Sequence, residues 1–194
     1  MVNIDKIKQL RQETGIGFSE CQKALEETNE DIKKAKSILR EKGKEIAESK
    51  FLRETKQGIV ESYLHPGGKI GVLIEICCES DFVAKSPDFK KLAHEICLQI
   101  TAMKPLFLKA DEISEEFLDG EKKIYQKQFA GSGKPQEIID QIIDGKLSKY
   151  KKEVSLLDQL WVKDTTKTIG DLIGEYSSKL GENITLKRFA RYEI

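Results

Sequence analysis

Lys69-Ile70-Gly71-Val72-Leu73-Ile74-Glu75-Ile76-Cys77-Cys78 is the stretch that decides the fold. Ile70, Val72, Ile74 and Ile76 alternate, which places them on one face of a strand. The neighbours Cys77 and Cys78 then face opposite sides of it. Upstream, Ile59-Val60-Glu61-Ser62-Tyr63-Leu64 reads as a second strand, and His65-Pro66-Gly67-Gly68 as the turn between the two. Strand, Gly-containing turn and strand make a hairpin. A hairpin alone is marginal in water. A third strand is expected, and the best candidate is Ile184–Tyr192 near the other end of the chain.

Helices fill the interval. Ser86 caps a helix whose first residue is Pro87, with Phe89, Leu92, Ala93, Ile96, Cys97 and Ile100 at helical spacing up to Met103. Pro105 ends it. Further helices are expected over 113–130, 136–150 and about 168–179. The region 58–194 is therefore read as an α+β core: a small three-stranded antiparallel sheet packed with helices. So few strands leave a sheet face open for self-association.

Residues 1–45 read as a three-helix module. Thr14-Gly15-Ile16-Gly17 marks a tight turn after the first helix. Ser19 with Gln22 suggests a capping box for the second, Asn29 a cap for the third, and Gly43 its stop. Residues 46–57 read as a charged helical linker.

Lys+Arg and Asp+Glu number 33 each, so the net charge is zero. Nucleic-acid binders usually carry a basic excess on one face, so no direct nucleic-acid partner is expected. The N-terminus shows no signal-peptide pattern, and no apolar run reaches the ~18 residues of a membrane span. These features imply a cytoplasmic chain that meets no membrane, with Cys21, Cys77, Cys78 and Cys97 reduced. The cysteines read as small buried hydrophobes rather than metal ligands.

No motif for chemistry emerges. Thr14–Gly17 and Gly131-Ser132-Gly133-Lys134 both lack the preceding strand of a phosphate-binding loop. No Gly-x-Ser-x-Gly elbow is present. The expectation is a protein that is not an enzyme, with no catalytic residue, cofactor or metal.

Glu79-Ser80-Asp81-Phe82-Val83-Ala84-Lys85 is the unusual segment. It follows a buried strand and precedes a Pro-started helix. Residue chemistry alone favours Phe82 tucked under the sheet. The alternative is an exposed aromatic that fills a partner's pocket.

Five ordered stretches then carry a resemblance across essentially the whole chain. Leu10–Gly17 with Cys21–Asp31 resembles the N-terminal signature of elongation factor Ts. Lys69–Glu75 followed by Ser80–Ala84 resembles its second signature. Lys104-Pro105, Ser132–Pro135 and Glu153–Leu157 resemble further family segments. The family's Thr-Asp-Phe-Val reads Ser80-Asp81-Phe82-Val83 here, and its paired methionines after Thr-Gly-x-Gly are Phe18-Ser19.

The resemblance implies a guanine-nucleotide exchange factor for the translational GTPase elongation factor Tu. Residues 1–45 would be a ubiquitin-associated-like module that docks the GTPase through Arg11, Thr14, Gly15 and Phe18. Ser80, Asp81, Phe82 and Val83 would disturb the partner's magnesium site and so release GDP. The chain is short for the family, with one core where longer members carry two. A homodimer that pairs two sheets is implied, making 58–194 core and dimerisation domain. A generic helical adaptor and an RNA-binding translation factor are the rival readings, and zero net charge counts against the second.

Overall fold

The computed structural model describes residues 2–50, 52–129, 133 and 135–194, leaving aside the side chains of 44–48. In chain order the elements are α1 (Ile4–Thr14), α2 (Phe18–Glu27), α3 (Ile32–Lys50), β1 (Gln57–Leu64), β2 (Ile70–Cys78), α4 (Asp81–Lys85), α5 (Pro87–Met103), α6 (Glu115–Phe129), α7 (Gln136–Val154), β3 (Leu160–Trp161), β4 (Asp164–Thr168), α8 (Ile169–Leu180) and β5 (Thr185–Glu193). Two compact units result: Met1–Leu98 with Gly170–Ile194, and Gln99–Ile169.

In the first unit, α1, α2 and α3 pack around Ile7, Leu10, Cys21, Ala24, Leu25, Ala35 and Leu39. Three terminal signals differ from the sequence reading. Gly17, not Ser19, is the residue before α2, and no side chain caps that helix. Asp31, not Asn29, caps α3, its Oδ1 accepting from the backbone N–H groups of Lys33 and Lys34 at 3.0 and 3.1 Å. Asn29 and Glu30 instead take φ of 50° and 63° to turn the chain. Gly43 does not stop α3, which runs on to Lys50 through much of the expected linker. Gly43 is buried, and a Cβ there would sit 3.7 Å from Ser178 Oγ. A methyl there would make ordinary contact with α8.

The sheet has the order β1-β2-β5, antiparallel throughout. Ile74 stands opposite Glu61 on one side and Phe189 on the other. A register shift between Glu75 and Ile76 lets β5 follow the twist. Val72, Ile74, Ile76 and Cys78 are buried on the core face. Tyr63 meets His94 of α5 edge-on, with ring centroids 5.6 Å apart, and α5 buries Phe89, Leu92, Ala93, Ile96 and Cys97. The opposite face carries Val60, Leu64, Leu73 and Tyr192; Leu64 is 68% and Tyr192 73% exposed.

Gly58 illustrates how closely β1 and β2 approach. A Cβ there would lie 2.8 Å from Cys77 Cα and closer still to the Ile76 carbonyl oxygen. Only glycine fits this rung.

The second unit holds α6, α7 and a small β3–β4 hairpin that the sequence did not announce. Ser114 caps α6, its Oγ accepting from Phe117 N–H at 3.2 Å. The helices are Glu115–Phe129 and Gln136–Val154 against expectations of 113–130 and 136–150. Of the Gly131–Lys134 connection, only Gly133 lies within the described residues. Phe117 meets Phe107 edge-on at 5.2 Å and stacks on Tyr150 at 6.2 Å. Gln99 is fully buried and fully engaged. It donates to Gln159 Oε1 and the Leu160 carbonyl at 3.1 Å each, and accepts from Val162 N–H at 3.0 Å. A buried amide needs such partners, since each unmet group costs about 1–3 kcal/mol.

Candidate functional site

The site begins where β2 ends. Ser80 leaves the strand extended, at φ −122° and ψ 155°, and caps the short helix α4, its Oγ accepting from Val83 N–H at 3.3 Å. Ser86 N–H closes the far end on the Val83 carbonyl at 2.9 Å. One helical turn has two sides. Val83 and Ala84 point inward and are buried. Asp81 and Phe82 therefore point outward, and Phe82 is 82% exposed. The reading in which Phe82 tucks under the sheet is corrected here. Val83 and Ala84 already fill the inward side of this single turn, which leaves Phe82 on its outer side.

Asp81 pairs with Lys85 one turn on, at 2.7 Å. That hydrogen bond and charge hold the Asp81 carboxyl below the usual carboxylate range. Both partners are exposed, so the pair is weak and open to exchange.

A pair of crossed carboxylates fixes the base of α4. Glu182 Oε2 accepts from the backbone N–H groups of Glu79 and Ser80 at 3.1 and 2.9 Å, and its Oε1 accepts from Ser80 Oγ at 2.5 Å. In return, Glu79 Oε1 accepts from Asn183 N–H at 2.6 Å. Asn183 is buried, and its Nδ2 donates to the Arg53 carbonyl at 2.8 Å. The last backbone rung of β2 and β5 joins Cys77 to Thr185. Beyond it, side-chain carboxylates continue the connection. Sequence reading missed Glu182 and Asn183, and quoted Glu79 in the unusual segment without a role. Their partners lie 102 to 104 residues away along the chain, and nothing local marks them.

The second group gathers at the α1–α2 turn. Arg11 is exposed in the last turn of α1, and Phe18, the first residue of α2, is 42% exposed. Thr14 is half-buried and turned inward, its Oγ1 donating to the Leu10 carbonyl at 2.7 Å. Gly15 ends α1 at φ 71°, in the left-handed region. Its face is covered by the stem of Lys179, whose Nζ reaches Asp88 of α5 at 2.7 Å. Arg11 and Phe18 are thus presented outward, while Thr14 and Gly15 shape the turn. Lys179 links this turn to α5, the helix that directly follows α4.

Burial raises the thiol pKa of Cys78 to about 11 and of Cys97 to about 12. Among the described residues, no three His, Cys, Asp or Glu side chains cluster as metal ligands. No helix among them is long and apolar enough to cross a membrane.

Comparison with known proteins agrees along the whole chain. The family described as elongation factor TS matches residues 6–194. Elongation factor Ts of Coprothermobacter proteolyticus is 50% identical over 193 residues, covering 100% of this chain and 98% of that protein. The protein of that name from Caldanaerobacter subterraneus subsp. tengcongensis is 46% identical, covering 100% and 96%. The Thermotoga maritima one is also 46% identical, with the same coverage.

Proposed function

The chain belongs to the elongation factor Ts family of translation elongation factors, and from that premise we propose that it is a guanine-nucleotide exchange factor for elongation factor Tu. The observation that carries this reading is Phe82, an exposed aromatic on a helix whose base is tied down. Leaving a Phe in water forgoes roughly 2 kcal/mol of burial. A partner's pocket recovers that term.

Exchange is negative coupling between two ligands of one GTPase. The factor and GDP weaken each other's binding by the same ratio. Phe82 enters beside the nucleotide's magnesium site and shifts the groups that hold the ion. Val83 keeps the wedge attached to the core. Asp81 exchanges Lys85 for partner groups, which costs little because their ion pair is solvated. Ser80 sets the direction in which the helix leaves the sheet. Arg11 and Phe18 dock the GTPase, with Thr14 and Gly15 holding the turn that presents them. This role needs no covalent step, so the protein is not an enzyme, and it acts in the cytoplasm without cofactor, nucleic acid or membrane.

The second sheet face supports a homodimer. Val60, Leu64, Leu73 and Tyr192 form an uncovered apolar surface on a three-stranded sheet. A second copy of the same face covers it by two-fold pairing.

The test is stopped-flow release of a fluorescent GDP analogue from elongation factor Tu. The expected result is acceleration by the parent chain and a loss on the order of tenfold with Phe82→Ala. Unchanged release with Phe82→Ala rejects the wedge.

A further inference from the structure

We infer that Glu182 is the positioning residue of the exchange segment, holding α4 at the angle that presents Phe82. The inference rests on the exchange reading above and deepens it. Four observations carry it.

First, Glu182 supplies three of the hydrogen bonds at the base of α4, to Glu79 N–H, Ser80 N–H and Ser80 Oγ. Bonds to a carboxylate are stronger and more directional than neutral ones. They act at the residue whose backbone sets the exit direction of the helix.

Second, α4 is a single turn. It cannot hold its own direction by internal hydrogen bonds, because a first turn fixes many dihedrals for one bond. An external tether must do so. Ser80 Oγ serves as both cap and tether, accepting from Val83 N–H while donating to Glu182.

Third, Glu182 is itself held. It follows Gly181, at φ 78° just past α8, and its carbonyl accepts from Ser177 Oγ at 2.6 Å. The reciprocal bond from Asn183 N–H to Glu79 fixes the same loop from the other direction.

Fourth, the carboxylate of Glu182 bonds to Glu79 and Ser80 rather than to Phe82, and so acts on the ring through the backbone at the base of α4. It aims the wedge without being part of it.

The experiment compares parent, Glu182→Ala, Glu182→Gln, Phe82→Ala and Glu182→Ala/Phe82→Ala in the GDP-release assay over a range of factor concentrations. Glu182→Ala is expected to lower the maximal stimulated rate on the order of tenfold. The half-saturating concentration should move less than about twofold, because the docking residues are untouched. Glu182→Gln keeps one acceptor oxygen and should lose about threefold. The double variant should be as slow as Phe82→Ala alone, since a missing wedge needs no aiming. A merely structural role moves these readouts differently, giving losses that multiply in the double variant.

A maximal rate for Glu182→Ala within twofold of parent overturns the inference, as does multiplying loss. So does a defect confined to the half-saturating concentration. Should Glu182→Ala melt below the assay temperature, Glu182→Gln carries the test under the same criteria. Normal stimulated release with Phe82→Ala removes the wedge, and the inference with it, while no stimulation by the parent chain removes the exchange reading. Slow release with Phe82→Ala but normal release with Glu182→Ala removes the inference alone.

Discussion

The stem of Lys179 lies directly over the bare Cα of Gly15. A methyl built on Gly15 would come 2.8 Å from Lys179 Cβ and closer still to Cγ. The lysine passes over the glycine to reach Asp88. One residue thus closes the end of α1, admits α8 and lets a cation bridge to α5.

Gly15→Ala therefore carries two separate penalties. The left-handed backbone costs roughly 1–2 kcal/mol, and the forced movement of Lys179 roughly 1–3 kcal/mol. Urea denaturation should show a loss of about 2–5 kcal/mol. Adding Lys179→Ala removes the Cγ contact but keeps Cβ, so it should restore part of the steric loss and none of the backbone part. Full restoration would show that φ carries no strain there.

Arg11→Ala and Phe18→Ala should behave in the opposite way. Both side chains are exposed and support no core. Melting temperature should stay within a few degrees, while the half-saturating factor concentration in GDP release rises. A lower maximal rate at unchanged half-saturation would contradict the docking role.

Neighbours Phe82 and Val83 separate function from fold. Phe82→Ala should leave denaturation unchanged, because the ring is already in water. Val83→Ala removes buried methyls and should cost roughly 1–2.5 kcal/mol. Equal destabilisation by the two would show that Phe82 packs inward in solution.

The proposed homodimer assigns the open sheet face to the subunit contact. Leu64→Lys with Tyr192→Asp places unlike charges on a surface that a second copy must cover. Sedimentation should show the parent as a dimer and the variant as a folded monomer. A monomeric parent would end the homodimer reading.

The thiols report burial through pH. Cys97, raised to about 12, and Cys78, raised to about 11, bind their protons more tightly folded than unfolded. Their contribution is complete below the ordinary thiol value of 9.0 and is lost as pH climbs through 11 and 12. Melting temperature should fall across that window, and less steeply in Cys97→Ala. At pH 8, half-buried Cys77 should react with a thiol reagent before Cys21, Cys78 and Cys97.

Legibility in the sequence followed the range of the forces involved. The alternation of Val72, Ile74 and Ile76 announced β2, and Ser86-Pro87 announced α5, because both signals are local. Gly43 misled for the same reason: a glycine often ends a helix, but here α3 continues through it to Lys50. The β3–β4 hairpin was silent, since two residues against five polar ones leave no apolar pattern. Phe82 could not be placed from its neighbours, because its exposure depends on Val83 filling the inward site first. The family resemblance pointed to Ser80–Val83 as a unit, and the structure gathers these four residues at the start of α4. It gave no hint of Glu182, whose role exists only once β5 lies beside β2.

The order of synthesis gives that last contact a further meaning. A chain emerging from the ribosome presents β2 and α4 long before β5 and Glu182. Until the final strand arrives, β2 has one neighbour and the base of α4 has no carboxylate beneath it. A nascent or truncated chain can form its helical module and its hairpin, yet holds Phe82 without aim. On the proposed reading, competence for exchange therefore waits for Glu182, and a copy cut short before that residue would not act on the GTPase.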